Sequence, residues 1–232
     1  MVSRGERELR GERRGKGGRS LLATAAPFFF ICQMFAAPAA GQRVEVYGRA
    51  GLAGSSALAT DLVADASIPD AIGAPVDEDV RAVPAPGLTL GAGVRIGFWP
   101  RATLGLDAAW MSTELQAKDG SGTRPIQDLT VLQTIVSASW AVRRAVELGA
   151  GAGFIWYRTE ETGLFAGGNN TSPVLEVSAG WTPDYWNGRL ALIAAAQTHR
   201  FGTPVLSGAG AQDGSVTRLS LSGRVRLVEA GR

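Results

Sequence analysis

From residue 42 onward, apolar and polar side chains alternate with period two, which sends successive side chains to opposite faces of an extended strand. Val44, Val46, Gly48, Ala50 and Leu52 alternate with Glu45, Tyr47 and Arg49. Leu88, Leu90, Ala92, Val94, Ile96 and Phe98 alternate with Thr89, Gly91, Gly93, Arg95 and Gly97. The same pattern returns around Leu104–Trp110, Leu132–Val142, Leu148–Trp156, Leu175–Trp181, Leu190–His199 and, most sharply, Leu219–Leu227. Each segment runs for about 10–12 residues, the length with which a tilted strand crosses a bilayer; strands of water-soluble proteins mostly have about five or six. The connections alternate too. Short turns fall near 99–101, 143–146 and 183–188, and long loops at about 54–86, 114–127, 159–173 and 202–215.

Aromatic residues gather at the segment ends. Phe98, Trp99, Trp140, Trp181, Tyr185 and Trp186 stand at the short-turn ends, and Trp110, Phe154, Trp156, Tyr157 and Phe201 toward the long-loop ends. Segment centres are nearly free of them, Tyr47 being the main exception. Two aromatic rings flanking an aliphatic band match the two interfaces of a membrane. Alternation alone also fits a soluble lipocalin-like barrel with the Leu/Ala/Trp face turned inward around an apolar ligand. Segment length, loop asymmetry and the two belts favour the membrane.

With these features the chain resembles the small eight-stranded bacterial outer-membrane barrels of the OmpA/OmpX type, over about 43–228. The resemblance rests on architecture and not on a residue signature. It implies an all-β fold, an eight-stranded antiparallel up-and-down transmembrane β-barrel, in a bacterial outer membrane. It also implies periplasmic termini, external long loops, and as partners the lipid bilayer, lipopolysaccharide and the outer-membrane assembly machinery. A monomer is expected. Such barrels usually finish on an aromatic residue; here the last alternating segment ends at Leu227, and Val228-Glu229-Ala230-Gly231-Arg232 follow.

Composition changes the picture mainly at the N-terminus. Residues 1–20 are basic, and 21–40, LLATAAPFFFICQMFAAPAA, are apolar and end in small residues. This is the layout of a secretory signal peptide cleaved near Ala39–Gly41, giving residues 1–40 as signal peptide and 41–232 as the barrel domain. An uncleaved transmembrane helix is the competing reading. Residues 1–39 hold 7 of the 23 basic and 3 of the 21 acidic side chains, so the remainder carries 16 basic against 18 acidic. No basic patch is left to suggest nucleic acid. The single cysteine, Cys32, lies in the same leader, so disulfides are not expected.

Parity turns Glu45, Arg49, Arg95, Asp107, Glu176, Arg189, Arg218, Arg224 and Arg226 toward the lumen. Eight strands enclose a space just wide enough for side chains, so arginine–carboxylate pairs are expected to fill it. Six arginines against three carboxylates leave a positive excess that favours anions. His199 is the only histidine. Some outer-membrane barrel enzymes that resemble this fold are lipid A deacylases with a His–Ser pair two residues apart; Thr198-His199-Arg200-Phe201-Gly202 has no serine in that place. The first loop holds Asp61, Asp65, Asp70, Asp77, Glu78 and Asp79, without the spacing of a calcium loop. No catalytic, cofactor or metal site is expected. The expected role is non-enzymatic: envelope-structural or surface-interaction, through the long loops, with minor solute passage. Alternatives are an outer-membrane lipid-modifying hydrolase using His199 and a soluble periplasmic lipocalin-like carrier.

Overall fold

The structure, a computed structural model, describes residues 42–62, 80–120, 122–159, 169–184, 187–202 and 214–231. The leader, Tyr185, Trp186 and most of the acidic loop lie outside the described residues. Ten strands follow in chain order: β1 (Arg43–Ser55), β2 (Ala59–Leu62), β3 (Val80–Pro84), β4 (Gly87–Trp99), β5 (Ala102–Asp119), β6 (Gly122–Arg143), β7 (Val146–Thr159), β8 (Asn169–Trp181), β9 (Leu190–Phe201) and β10 (Gly214–Ala230).

Eight of them close into a ring, β1-β4-β5-β6-β7-β8-β9-β10, with every neighbouring pair antiparallel. The seam joins β10 to β1 from Val44↔Ala230 to Ser55↔Arg218, with a bulge between Val46 and Tyr47. Closure leaves no open edge in the wall. All eight alternating segments become wall strands, and the three short turns fall where the sequence puts them.

The faces are the reverse of those of a soluble barrel. Leu52, Leu88, Leu104, Val136, Leu148, Leu175, Val177, Leu219 and Leu221 all point outward and are exposed, whereas Arg95, Glu176, Arg218 and Ser222 are buried inside. This overturns the lipocalin-like alternative, which needs an apolar lining and a wet exterior.

The expected loops are partly strand: in 159–173 the last five residues open β8 and pair with β7, and two others change more. Residues 114–127 continue β5 and β6 as a hairpin, paired from Ala102↔Trp140 up to Asp119↔Gly122. The first loop contains β2 and β3. Arg81–Pro84 pair with Leu115–Lys118 on β5, beyond the point where β4 gives out, and Ala59 and Leu62 pair with Ala82 and Val80. A four-stranded sheet, β2-β3-β5-β6, therefore rises above the ring. β10 also runs past Leu227 to Ala230.

The reason is a change of parity. On β5 the outward positions are apolar up to Trp110. From Met111 the inward ones are: Met111, Leu115 and Ala117 are buried, while Glu114 and Lys118 are exposed on the outside. β6 switches at Leu132/Val131 and β10 between Val216 and Leu219. Above that level the molecule follows the rule of proteins in water, apolar inside and polar outside; below it the rule is inverted. A reading that follows one apolar face sees the alternation break there and assigns loop.

Candidate functional site

The interior is layered. At the short-turn mouth the ends of β1 and β10 bring Arg43, Glu45, Arg226 and Glu229 together. Arg43 reaches Glu45 at 2.9 Å and Glu229 at 2.7 Å, and Arg226 reaches Glu229 at 2.7 Å and Glu45 at 3.5 Å.

Deeper in, Glu147 on β7 bridges Arg95 of β4 at 2.9 Å and Arg224 of β10 at 3.0 Å, one carboxylate oxygen to each. Arg95 Nη2 also donates to Thr103 Oγ1 at 2.7 Å and Ser139 Oγ at 2.5 Å. Tyr47 Oη donates to Asp107 Oδ1 at 2.5 Å, and the Arg224 guanidinium lies 5.5 Å from the centre of the Tyr47 ring. The ring has room because β4 carries a glycine beneath it. A Cβ on Gly93 would come within 2.5 Å of Tyr47 Oη and 2.6 Å of the Leu106 carbonyl oxygen. Gly93→Ala should therefore cost about 1–3 kcal/mol, read as a lower urea midpoint of the folded protein in micelles, and Tyr47→Phe should not rescue it, because the ring carbon Cζ and the Leu106 carbonyl would both still stand 2.6 Å from the new methyl.

At mid-height Arg49 Nε donates to Ser222 Oγ at 2.6 Å and Gln197 Nε2 to Glu176 Oε2 at 2.6 Å. Arg218 Nη1 donates to Gln133 Oε1 at 2.5 Å, and its Nη2 lies 3.6 Å from Met111 Sδ. Between these layers lies a cavity of about 30 Å³, bounded by Tyr47, Arg49, Arg95, Asp107, Glu147, Glu176 and Arg224 among others. It has room for about two waters. Above Arg218 the interior is an apolar plug, with Leu115, Leu129, Ile155, Tyr157, Val174, Phe201 and Val216 almost fully buried, while the equally buried Ile135 pairs with Asp107 one inward step below Gln133.

Eight of the nine luminal charges read from parity line this interior. Arg189 does not: it is exposed at the turn before β9, with its backbone oxygen accepting from Arg226 N. Glu147 and Glu229 join instead. Glu147 was legible, since it shares the parity of Gly149; Glu229 was not, since it carries the parity of the outward Val225 and Leu227 and is turned inward, opposite Glu45, only by the bulge at the seam. The positive excess shrinks accordingly, with Arg49, Arg95, Arg218 and Arg224 facing Asp107, Glu147 and Glu176, and the mouth balanced.

Six of the ten interface aromatics, Phe98, Trp99, Trp110, Trp140, Phe154 and Trp181, are outward and exposed, and Trp156 is half-buried, its ring 6.1 Å from that of Phe154. Tyr185 and Trp186 lie outside the described residues. Phe201 is a correction: it is buried inside the barrel, edge-on to Tyr157 at 5.3 Å, so neither ring belongs to the outer belt. Its odd position on β9 shares the inward face of His199, and parity decides its side where height along the strand does not.

His199 is buried, with Nε2 2.7 Å from Tyr157 Oη and its ring stacked on the tyrosine at 5.6 Å. Among the described residues no serine or carboxylate is hydrogen-bonded to it. Ser215 instead pairs with Thr198 on the exposed face at 3.5 Å. Nucleophile, base and orienting acid do not converge here. No group of three or more metal-ligating side chains occurs among the described residues.

Neither a protein-family model nor a curated protein sequence matches the chain. Among solved structures it is similar to the outer membrane protein OprG from Pseudomonas aeruginosa, at 14% identity and a TM-score of 0.46, covering 83% of this chain and 97% of that one. It is also similar to Ail, an outer membrane protein of Yersinia pestis, at 14% identity and a TM-score of 0.45, covering 79% and 99%. Neisserial surface protein A is similar at 15% identity and a TM-score of 0.41, covering 82% and 100%. Independently of these likenesses, a ring with no open edge, an apolar exterior and a paired polar interior make the fold a transmembrane β-barrel of the outer-membrane type.

Proposed function

We propose that the protein is a sealed, non-enzymatic barrel of the bacterial outer membrane that acts through the sheet it raises above the bilayer. One observation carries this reading: among the described residues the middle of the lumen is occupied by paired charges around a cavity of about 30 Å³, and the part above it by packed apolar side chains. A filled lumen supports a structural or surface-interaction role over solute passage. The β2-β3-β5-β6 sheet gives the outer side a folded surface. Its partners on this reading are the bilayer, lipopolysaccharide on the long-loop side and the assembly machinery. Closure of the ring within one chain supports a monomer. The hydrolase alternative loses support with His199 engaged by Tyr157 and hydrogen-bonded to no serine or carboxylate among the described residues.

The test is reconstitution into planar bilayers after detergent extraction and a gel shift on boiling have established the folded barrel. The expected result is a silent bilayer at protein levels where a porin gives steps. Steady unitary conductance from the unmodified protein would overturn the sealed reading, and hydrolysis of lipid A abolished by His199→Ala would restore the hydrolase.

A further inference from the structure

Two short turns at the same rim carry arginine and no acid: Trp99-Pro100-Arg101 between β4 and β5, and Arg143-Arg144-Ala145 between β6 and β7. Ala141 N donates to the Arg101 carbonyl at 2.8 Å, which holds the turns side by side. Arg101, Arg143 and Arg144 are exposed. Among the described residues the acid that reaches one of them is Asp184, 3.9 Å from Arg144 Nε, and both groups are open to solvent. A pair so exposed neutralises little.

Directly beside these turns, on the outer face, lies a shallow, open apolar groove of about 450 Å³. Trp99 and Trp140 are its walls. Ala102, paired with both, is its floor, and Ala138 and Ala150 continue it toward mid-membrane. Small residues between two tryptophans make a channel for a hydrocarbon chain, and its open end meets three guanidinium groups.

We propose that groove and turns form a binding site for one anionic phospholipid of the leaflet on the short-turn side. The acyl chain lies between Trp99 and Trp140, and the phosphate-bearing headgroup rests against Arg101, Arg143 and Arg144. Guanidinium matches phosphate in charge and in forked hydrogen-bond geometry, and indoles at an interface hold their neighbours at headgroup depth. The inference rests on the membrane reading above.

The experiment is native mass spectrometry of the full barrel in non-ionic micelles, offered phosphatidylglycerol or phosphatidylethanolamine, with boiling-dependent gel migration recorded first. The wild type is expected to retain a single phosphatidylglycerol about fivefold more than phosphatidylethanolamine. The exposed-turn variant Arg101→Gln/Arg143→Gln/Arg144→Gln should lose that preference. Ala138→Phe, which fills the groove, should lower retention of both lipids. Equal retention of the two lipids by the wild type overturns the proposal. So does an undiminished preference in the triple variant, or unchanged retention in Ala138→Phe. A wild type that shows no heat-dependent migration removes the membrane reading and the site with it, whereas a shift without lipid preference removes only the site.

Discussion

Leu221→Arg is expected to impair insertion severely. Leu221 stands near the middle of the outward row of β10, 62% exposed, with Leu52 beside it across the seam and Ala194 on the other flank. In a bilayer that exposure is exposure to acyl chains. A guanidinium there costs about 2–4 kcal/mol, a large part of the roughly 5–15 kcal/mol by which folded domains are stable. Leu219→Arg should behave alike. The residue next along, Ser222, is buried inside and accepts from Arg49 Nε, so Ser222→Arg should fail for another reason, overfilling the lumen and setting two like charges together. The two failures separate by rescue: Arg49→Ser should restore folding to Ser222→Arg and do nothing for Leu221→Arg. The readout is the heat-modifiable fraction recovered from refolding into vesicles. Full recovery of both Leu219→Arg and Leu221→Arg would sink the facing assignment.

The second large effect is expected at Glu147. Its carboxylate is the shared counter-charge of Arg95 and Arg224, with all three side chains mostly screened from solvent. Removing one member of a buried ionic group leaves uncompensated charge and costs about 3 kcal/mol. Glu147→Gln should therefore lower the urea midpoint substantially, and adding Arg224→Gln should return part of the loss, because it removes one of the two guanidinium groups left without their shared carboxylate. Glu147→Asp, which keeps charge and loses reach, should fall between. An unchanged midpoint in Glu147→Gln would show the bridge to be energetically silent.

Much of the wall was legible because lipid imposes a strict rule on alternate positions. The rows Val44–Leu52 and Leu219–Leu227 each gave a strand and both of its faces. Where water replaces lipid the rule inverts, and with it the meaning of apolar parity, so Leu115, Ala117 and Val216 were not read as one interior. The charges of the lumen were legible as a set and not as pairs. Nothing local to Glu147 says that Arg95 and Arg224, one on β4 and the other on β10, converge on it. That convergence follows from stagger and closure, which no single segment records.

The seam between β1 and β10 also governs timing. Each remaining wall strand pairs with the next wall strand in chain order, so those hairpins zip locally and fast. The β1–β10 pairing joins opposite ends of the barrel domain, carries the largest loop-closure cost and sets the topological limit on the folding rate. Until it closes, an intermediate carries two unpaired strand margins, the feature that invites aggregation. Ring closure should therefore be the rate-limiting step, and a catalyst that shelters β1 until β10 arrives would act at the one stage where the chain is most vulnerable.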